Sequence, residues 1–214
     1  ALGNLGLAYA DLGEVQKAIG YYEEALKIDR EIGDRRGEGN ALGNLGVAHT
    51  DLGEVQKAIG YFEEALKIHR ELGDRRSEGA DLNNLGNAYR HLGEVQRAIG
   101  YYEQALAIYR EIGDRRGEGA DLGNLGLAYS NLGEVQKAIG YYEEALKIKR
   151  EIGDRRGEGI ASWNLGLMYA LQGDLARAVE RMQVLVDYER AIGHPDAEKH
   201  AARVEEIRRP MAGG

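Results

Sequence analysis

Residues 12–28 read LGEVQKAIGYYEEALKI, and nearly the same string begins again at Leu52, Leu92 and Leu132, each time 40 residues on. A fixed period of this size marks a chain built from stacked copies of one small unit. The copies are 1–40, 41–80, 81–120 and 121–160, followed by a drifted fifth at 161–193. Copies one and four differ only at 1/121, 10/130, 11/131, 29/149 and 40/160. Drift in a last unit is expected, because a terminal repeat has to cover its own apolar face. Behind it, HPDAEKHAARVEEIRR (194–209) reads as one further amphipathic helix that caps the stack, and 210–214 as a disordered tail.

Each unit reads as two helices. In the second, Asp34 follows Gly33 and is placed to cap a helix from Arg35. Leu42, Leu45, Ala48, His49 and Leu52 then fall at helical spacing, and Gly53 ends the run. The next helix starts near Glu54 and presents Val55, Ala58, Ile59, Phe62, Ala65, Leu66 and Ile68 or Leu72 as its core stripe. Gly73 suits the residue after a helix end, and Asp74 caps the helix that follows. Neither helix can bury its stripe alone, so neighbouring units must stack.

Bulk composition narrows the function. The net charge of −8 argues against a general binder of nucleic acid or anionic membranes, either of which needs a basic face. No apolar run approaches the roughly 20 residues of a membrane span. The absence of Cys removes disulfides, thiolate zinc sites and thiol nucleophiles, and fits a cytoplasmic location. The chain opens at Ala1 in mid-pattern and reads as a fragment of something longer.

The unit resembles the tetratricopeptide repeat. The motif of that family is met at Leu5, Gly6, Tyr9, Ala18 and Tyr22, and again at Leu45, Gly46, Ala58 and Phe62. Copies three and four repeat it, and the fifth keeps Leu165, Gly166, Tyr169 and Ala178 but has Met182. Leu2, Leu42, Leu82 and Leu122 replace the family Trp, Arg30 stands where its Pro would be, and the period is 40 rather than 34. This looks like the longer variant seen in kinesin light chains, Leu-Gly-Asn repeat scaffolds and bacterial repeat regions attached to signalling ATPases. The resemblance implies an all-α fold, a right-handed α-solenoid of antiparallel helix pairs whose first helices line a concave groove. Gly6 and its equivalents are then small so that the second helix can approach. The glycines inside the second helix (Gly20, Gly60, Gly100, Gly140) cost about 1 kcal/mol each against Ala, and close contact with the next repeat is their expected reason.

Copies this similar make their differences legible. Beside the core stripe, the first helix has a second face on which copies vary. Its third position reads Gly3, Gly43, Asn83, Gly123 and Trp163; its seventh reads Leu7, Val47, Asn87, Leu127 and Leu167. Arg90, His91 and Asn131 occur at its tenth and eleventh. Amid this variation Asn4, Asn44, Asn84, Asn124 and Asn164 stay constant. A side-chain amide carries a donor and an acceptor, which matches a peptide backbone. In the longer-repeat members, an Asn at this place resembles the residue that bonds a bound peptide's main chain. The column therefore reads as a ladder holding an extended segment, or alternatively as a tie between neighbouring helices. Trp163, the sole Trp, is either an anchor for the segment or a cover for the end of the core. The expected ligand is a mixed polar and apolar peptide.

Other signals are bland at this level. DRR with Glu38, Glu78, Glu118 or Glu158 reads as capping and solvated ion pairs, and position 29 (Asp29, His69, Tyr109, Lys149, Glu189) as free outer surface. His and Ser are scattered outside any nucleophile or metal-ligand pattern, and GDRRGEG lacks the ending of a phosphate loop. The expectation is thus a non-catalytic scaffold, without cofactor, that binds a peptide or protein segment and serves as a sensor or docking part of a larger protein. End-to-end self-association is the alternative, and nucleic-acid binding by a helical repeat ranks below it.

Overall fold

The computed structural model describes residues 2–212, and among them every regular element is an α-helix. The first compact unit, Ala1–Ile112, holds α1 (Leu2–Asp11), α2 (Val15–Ile32), α3 (Arg35–Asp51), α4 (Val55–Leu72), α5 (Arg75–His91) and α6 (Val95–Ile112). The second, Gly113–Gly214, holds α7 (Arg115–Asn131), α8 (Val135–Glu151), α9 (Arg155–Leu171), α10 (Leu175–Ala191) and α11 (Ala197–Ala212). Within each unit every helix packs on the next, so helix hairpins follow one another as in an α-solenoid.

Local chemistry sets the boundaries. The Asp34 carboxylate accepts from the Gly37 N–H at 2.9 Å, and Asp154 accepts from Gly157 at 2.8 Å. Each such cap stabilises its helix by about 1 kcal/mol. Gly53 (φ 76°) turns the chain inside a hairpin and Gly73 (φ 67°) between hairpins, in the left-handed region that only glycine enters without strain. The last helix runs Ala197–Ala212 rather than 194–209. Gly193 (φ 67°) ends α10, and Pro195 sits in the turn that follows. Residues 213–214 of the expected tail lie outside the described residues.

A column of large side chains on the second helices fills the hairpin interiors. Tyr22, Phe62, Tyr102, Tyr142 and Met182 are each 2% exposed or less. Burying a ring of this kind contributes about 1.5–3 kcal/mol. The glycine column opposite makes room for it. A Cβ on Gly46 would lie 2.5 Å from the Phe62 ring, and one on Gly126 would lie 2.7 Å from Tyr142. The close approach expected at these glycines is therefore present. The expectation for Gly20, Gly60, Gly100 and Gly140 is corrected: a Cβ at any of them would meet nothing within 4 Å. No contact in the structure explains why they are glycine.

Candidate functional site

In the first unit, α3 and α5 carry Asn44 and Asn84 one helical step from leucines that anchor the core, Leu45 and Leu85, both 0% exposed. That anchoring fixes the rotation of each helix and leaves both asparagines half-buried. Asn124 on α7 and Asn164 on α9 are half-buried in the second unit, and Asn4 on α1 is exposed. Among the described residues none of the five side-chain amides makes a hydrogen bond. A tie between neighbouring helices has no bond to rest on here. A cleft of about 580 Å³ between α1 and α3 is bordered by Asn4, Leu7 and Asn44 and floored by Ala25 and Ile28. Its floor is partly open to solvent. Ile28 is accordingly 39% exposed where Ile68 is 4% exposed.

The variable residues around the ladder differ in how free they are. Leu7 and Val47 are exposed at 47% and 46%, while Leu127 and Leu167 are half-buried. Asn87 is engaged: its amide donates to Asn83 Oδ1 at 3.0 Å, and its oxygen accepts from the Tyr102 hydroxyl at 2.9 Å. Arg90 is half-buried, and its Nε is sealed from solvent with no partner. His91 and Asn131 are exposed. Trp163 packs on His200 of α11, ring centres 4.6 Å apart, and against the buried cluster that contains Val204 and Ile207. It therefore covers the end of the core, the second of the two roles open to it.

Position 29 is not outer surface. His69 is 2% exposed, Tyr109 8% and Glu189 5%. Tyr109 lies under Gly79 of its own hairpin, where a Cβ would sit 3.0 Å from its ring, and in four copies the residue also meets the start of the next helix. In the seam between α4 and α5, His69 Nδ1 donates to Asp81 Oδ2 at 2.6 Å. Burial pushes the Asp81 carboxyl above its usual range, and the bond from His69 opposes that only in part. Between α8 and α9, Lys149 pairs with Asp154 at 3.1 Å. The N–H of Gly157 and Lys149 together hold the Asp154 carboxyl below its usual range, against burial. Between α10 and α11, Glu189 accepts from His200 Nδ1 at 2.7 Å. Between α2 and α3, Asp29 lies under Gly37, where a Cβ would sit 2.7 Å from its carboxyl carbon. The sequence did contain a trace of this at position 1 of the following copy, which is Asp81 after His69 but Ala41 after Asp29 and Ala161 after Lys149.

The DRR–Glu pattern is also more than solvated pairing. Glu38 is 7% exposed and accepts from Arg30 Nε at 2.8 Å and from Arg35 Nη1 at 2.5 Å. Arg35 reaches on to Glu71 at 2.8 Å, so one clamp joins α2, α3 and α4. Burial raises the Glu38 carboxyl, but the two arginines outweigh it and hold the group below the usual carboxylate range. The same clamp recurs as Arg70–Glu78–Arg75–Glu111.

Among the described residues no group of three His, Asp or Glu side chains could hold a metal ion, and no helix is long and apolar enough to cross a membrane.

A family model for the tetratricopeptide repeat matches residues 1–71, 39–111, 78–151 and 122–188. The chain belongs to the tetratricopeptide repeat family. Comparison with curated proteins gives no match. Among solved structures, BtubC (BKLC) from P. vanneervenii is 26% identical with a TM-score of 0.74, over 100% of this chain and 80% of that one. A signal transduction ATPase with a tetratricopeptide repeat sensor, PH0952 from Pyrococcus horikoshii, has a TM-score of 0.86 at 22% identity, over 99% of this chain and 33% of that one. A Rap protein complexed with Competence and Sporulation Factor has a TM-score of 0.71 at 20% identity, over 99% of this chain and 64% of that one. The last two likenesses concern the fold.

Proposed function

We propose that the chain is a protein-interaction module whose first-helix face binds an extended segment of a partner. The asparagine amides bond the segment's main chain, and the variable third, seventh, tenth and eleventh positions contact its side chains. The observation that carries this reading is a column of amides, constant through every copy, that stands half-buried and unbonded on α3, α5, α7 and α9. None of these amides is among the side-chain atoms sealed from solvent, so each is open to bond the main chain of a ligand in place of water. Likeness to a repeat sensor on a signalling ATPase and to a Rap protein in complex with a factor supports a sensor or docking role.

The test uses a fluorescein-labelled 12-residue peptide selected on the protein from a random displayed library. In the Asn124→Ala/Asn164→Ala variant, anisotropy should show affinity reduced by about tenfold or more, with the melting temperature unchanged. Undiminished affinity would overturn the assignment. End-to-end self-association is a second reading, motivated by Leu5, which is 46% exposed where Leu45 and Leu85 are fully buried. Sedimentation velocity over a concentration series tests it; a sedimentation coefficient independent of concentration would remove it.

A further inference from the structure

The aromatic column that fills the hairpin interiors carries hydroxyls, and these have unequal fates. In the third hairpin the Tyr102 hydroxyl donates to Asn87, a residue at the seventh position of the first-helix face. The hydroxyl end of this column thus reaches that face from below. In the first hairpin the Tyr22 hydroxyl is raised above the usual phenol range by burial and then by the Asp11 charge, and Asp11 stands on the same face. The second and fifth hairpins have Phe62 and Met182 and no hydroxyl.

The fourth hairpin has the hydroxyl without the partner. Tyr142 is 1% exposed and makes no hydrogen bond among the described residues. Position 127, where the third hairpin has Asn87, is a half-buried leucine that packs against the cluster containing Tyr142. The ring is fixed, since Gly126 lets it approach to 2.7 Å from where a Cβ would stand. Burial pushes the phenol up to about 12, so it keeps its proton throughout the physiological range. A neutral O–H in a fixed place is a donor lacking only an acceptor.

We propose that the Tyr142 hydroxyl is a ligand-binding group of the first-helix face and donates to a main-chain carbonyl of the bound segment beside the Asn124 amide. The inference rests on the reading of that face as a peptide site and adds a residue from the hairpin core to it. Tyr22 offers the same group in the first hairpin. In the third, Asn87 already occupies the Tyr102 hydroxyl. Free hydroxyls therefore mark the hairpins at which the segment's backbone is gripped from below as well as from the ladder.

The experiment measures the selected 12-residue peptide by fluorescence anisotropy against the full chain and three variants. Tyr142→Phe should weaken binding about fivefold, the loss of one neutral hydrogen bond, with thermal unfolding unchanged because no internal bond is lost. Leu127→Asn places next to Tyr142 the amide that Asn87 supplies to Tyr102. It should weaken binding to a similar degree, and adding Tyr142→Phe to it should do nothing more. Asn124→Ala separates the two claims. If it weakens binding while Tyr142→Phe leaves affinity unchanged, the hydroxyl assignment is overturned and the ladder stands. If neither variant alters affinity, the peptide site itself falls, and the hydroxyl assignment with it.

Discussion

Two columns vary from hairpin to hairpin, and the structure puts them to opposite uses. At position 7 of the copies, Leu7 and Val47 face outward at 47% and 46% exposure. At position 29, His69 and Glu189 are sealed at 2% and 5%. Both columns change where nearly everything else is held, so variation alone does not distinguish a binding face from a seam. Bonding does: His69, Lys149 and Glu189 each meet a matched partner on the next first helix or its cap, Asp81, Asp154 and His200. On the first-helix face, Asn87 is tied within its own hairpin, while Leu7, Val47 and the asparagines beside them bond nothing. A seam column should therefore govern stability and a face column should govern binding.

The largest effect is expected where the seam is broken. Asp81→Ala leaves His69 Nδ1 buried without an acceptor, at a cost of about 1–3 kcal/mol in denaturant unfolding. The His69→Ala/Asp81→Ala double variant should cost less than the sum of the two singles, because the pair acts as a unit. Glu38→Gln should cost about 1 kcal/mol, reduced by screening because both clamping arginines are nearly half exposed. The pH dependence has a definite sign. Glu38 is held below its usual range when folded, so the clamp contributes above the unfolded carboxylate value of about 4.3. Its contribution is lost as pH falls through the lower folded value, and wild type and variant should converge in acid unfolding. Gly60→Ala should stabilise by about 0.5–1 kcal/mol, since the site is open and glycine is a poor helix former. Gly46→Ala, the same change facing Phe62 at 2.5 Å, should destabilise by about 1–3 kcal/mol. Asn124→Ala should shift stability by less than about 0.5 kcal/mol, within the range of surface substitutions. It should weaken peptide binding all the same.

The architecture was readable because it rests on local rules repeated many times: Asp34 before a helix, Gly53 and Gly73 at the turns, Phe62 opposite Gly46. The constancy of the asparagines was readable as well, since an unchanged Asn amid changing neighbours stands out in any self-comparison. What escaped was anything that depends on where two hairpins meet. Position 29 is buried by helices other than its own: His69 lies under Gly39 of α3 and bonds Asp81 of α5. The Glu38 clamp escaped for the same reason, as its arginines come from α2 and α3 and its far carboxylate from α4. The open glycines were misread in the other direction. A contact was expected at Gly60 to offset its helix cost, and the chain supplies none.

The most direct measurement of the central claim is the side-chain amide spectrum of the ¹⁵N-labelled chain titrated with the selected peptide. The account predicts that the Nδ2 resonances of Asn124 and Asn164 shift together along one binding curve, while amides on the second helices stay in place. Unmoved asparagine signals with shifts confined to α4, α6 or α8 would contradict it, because the partner would then lie on the other face of the hairpins.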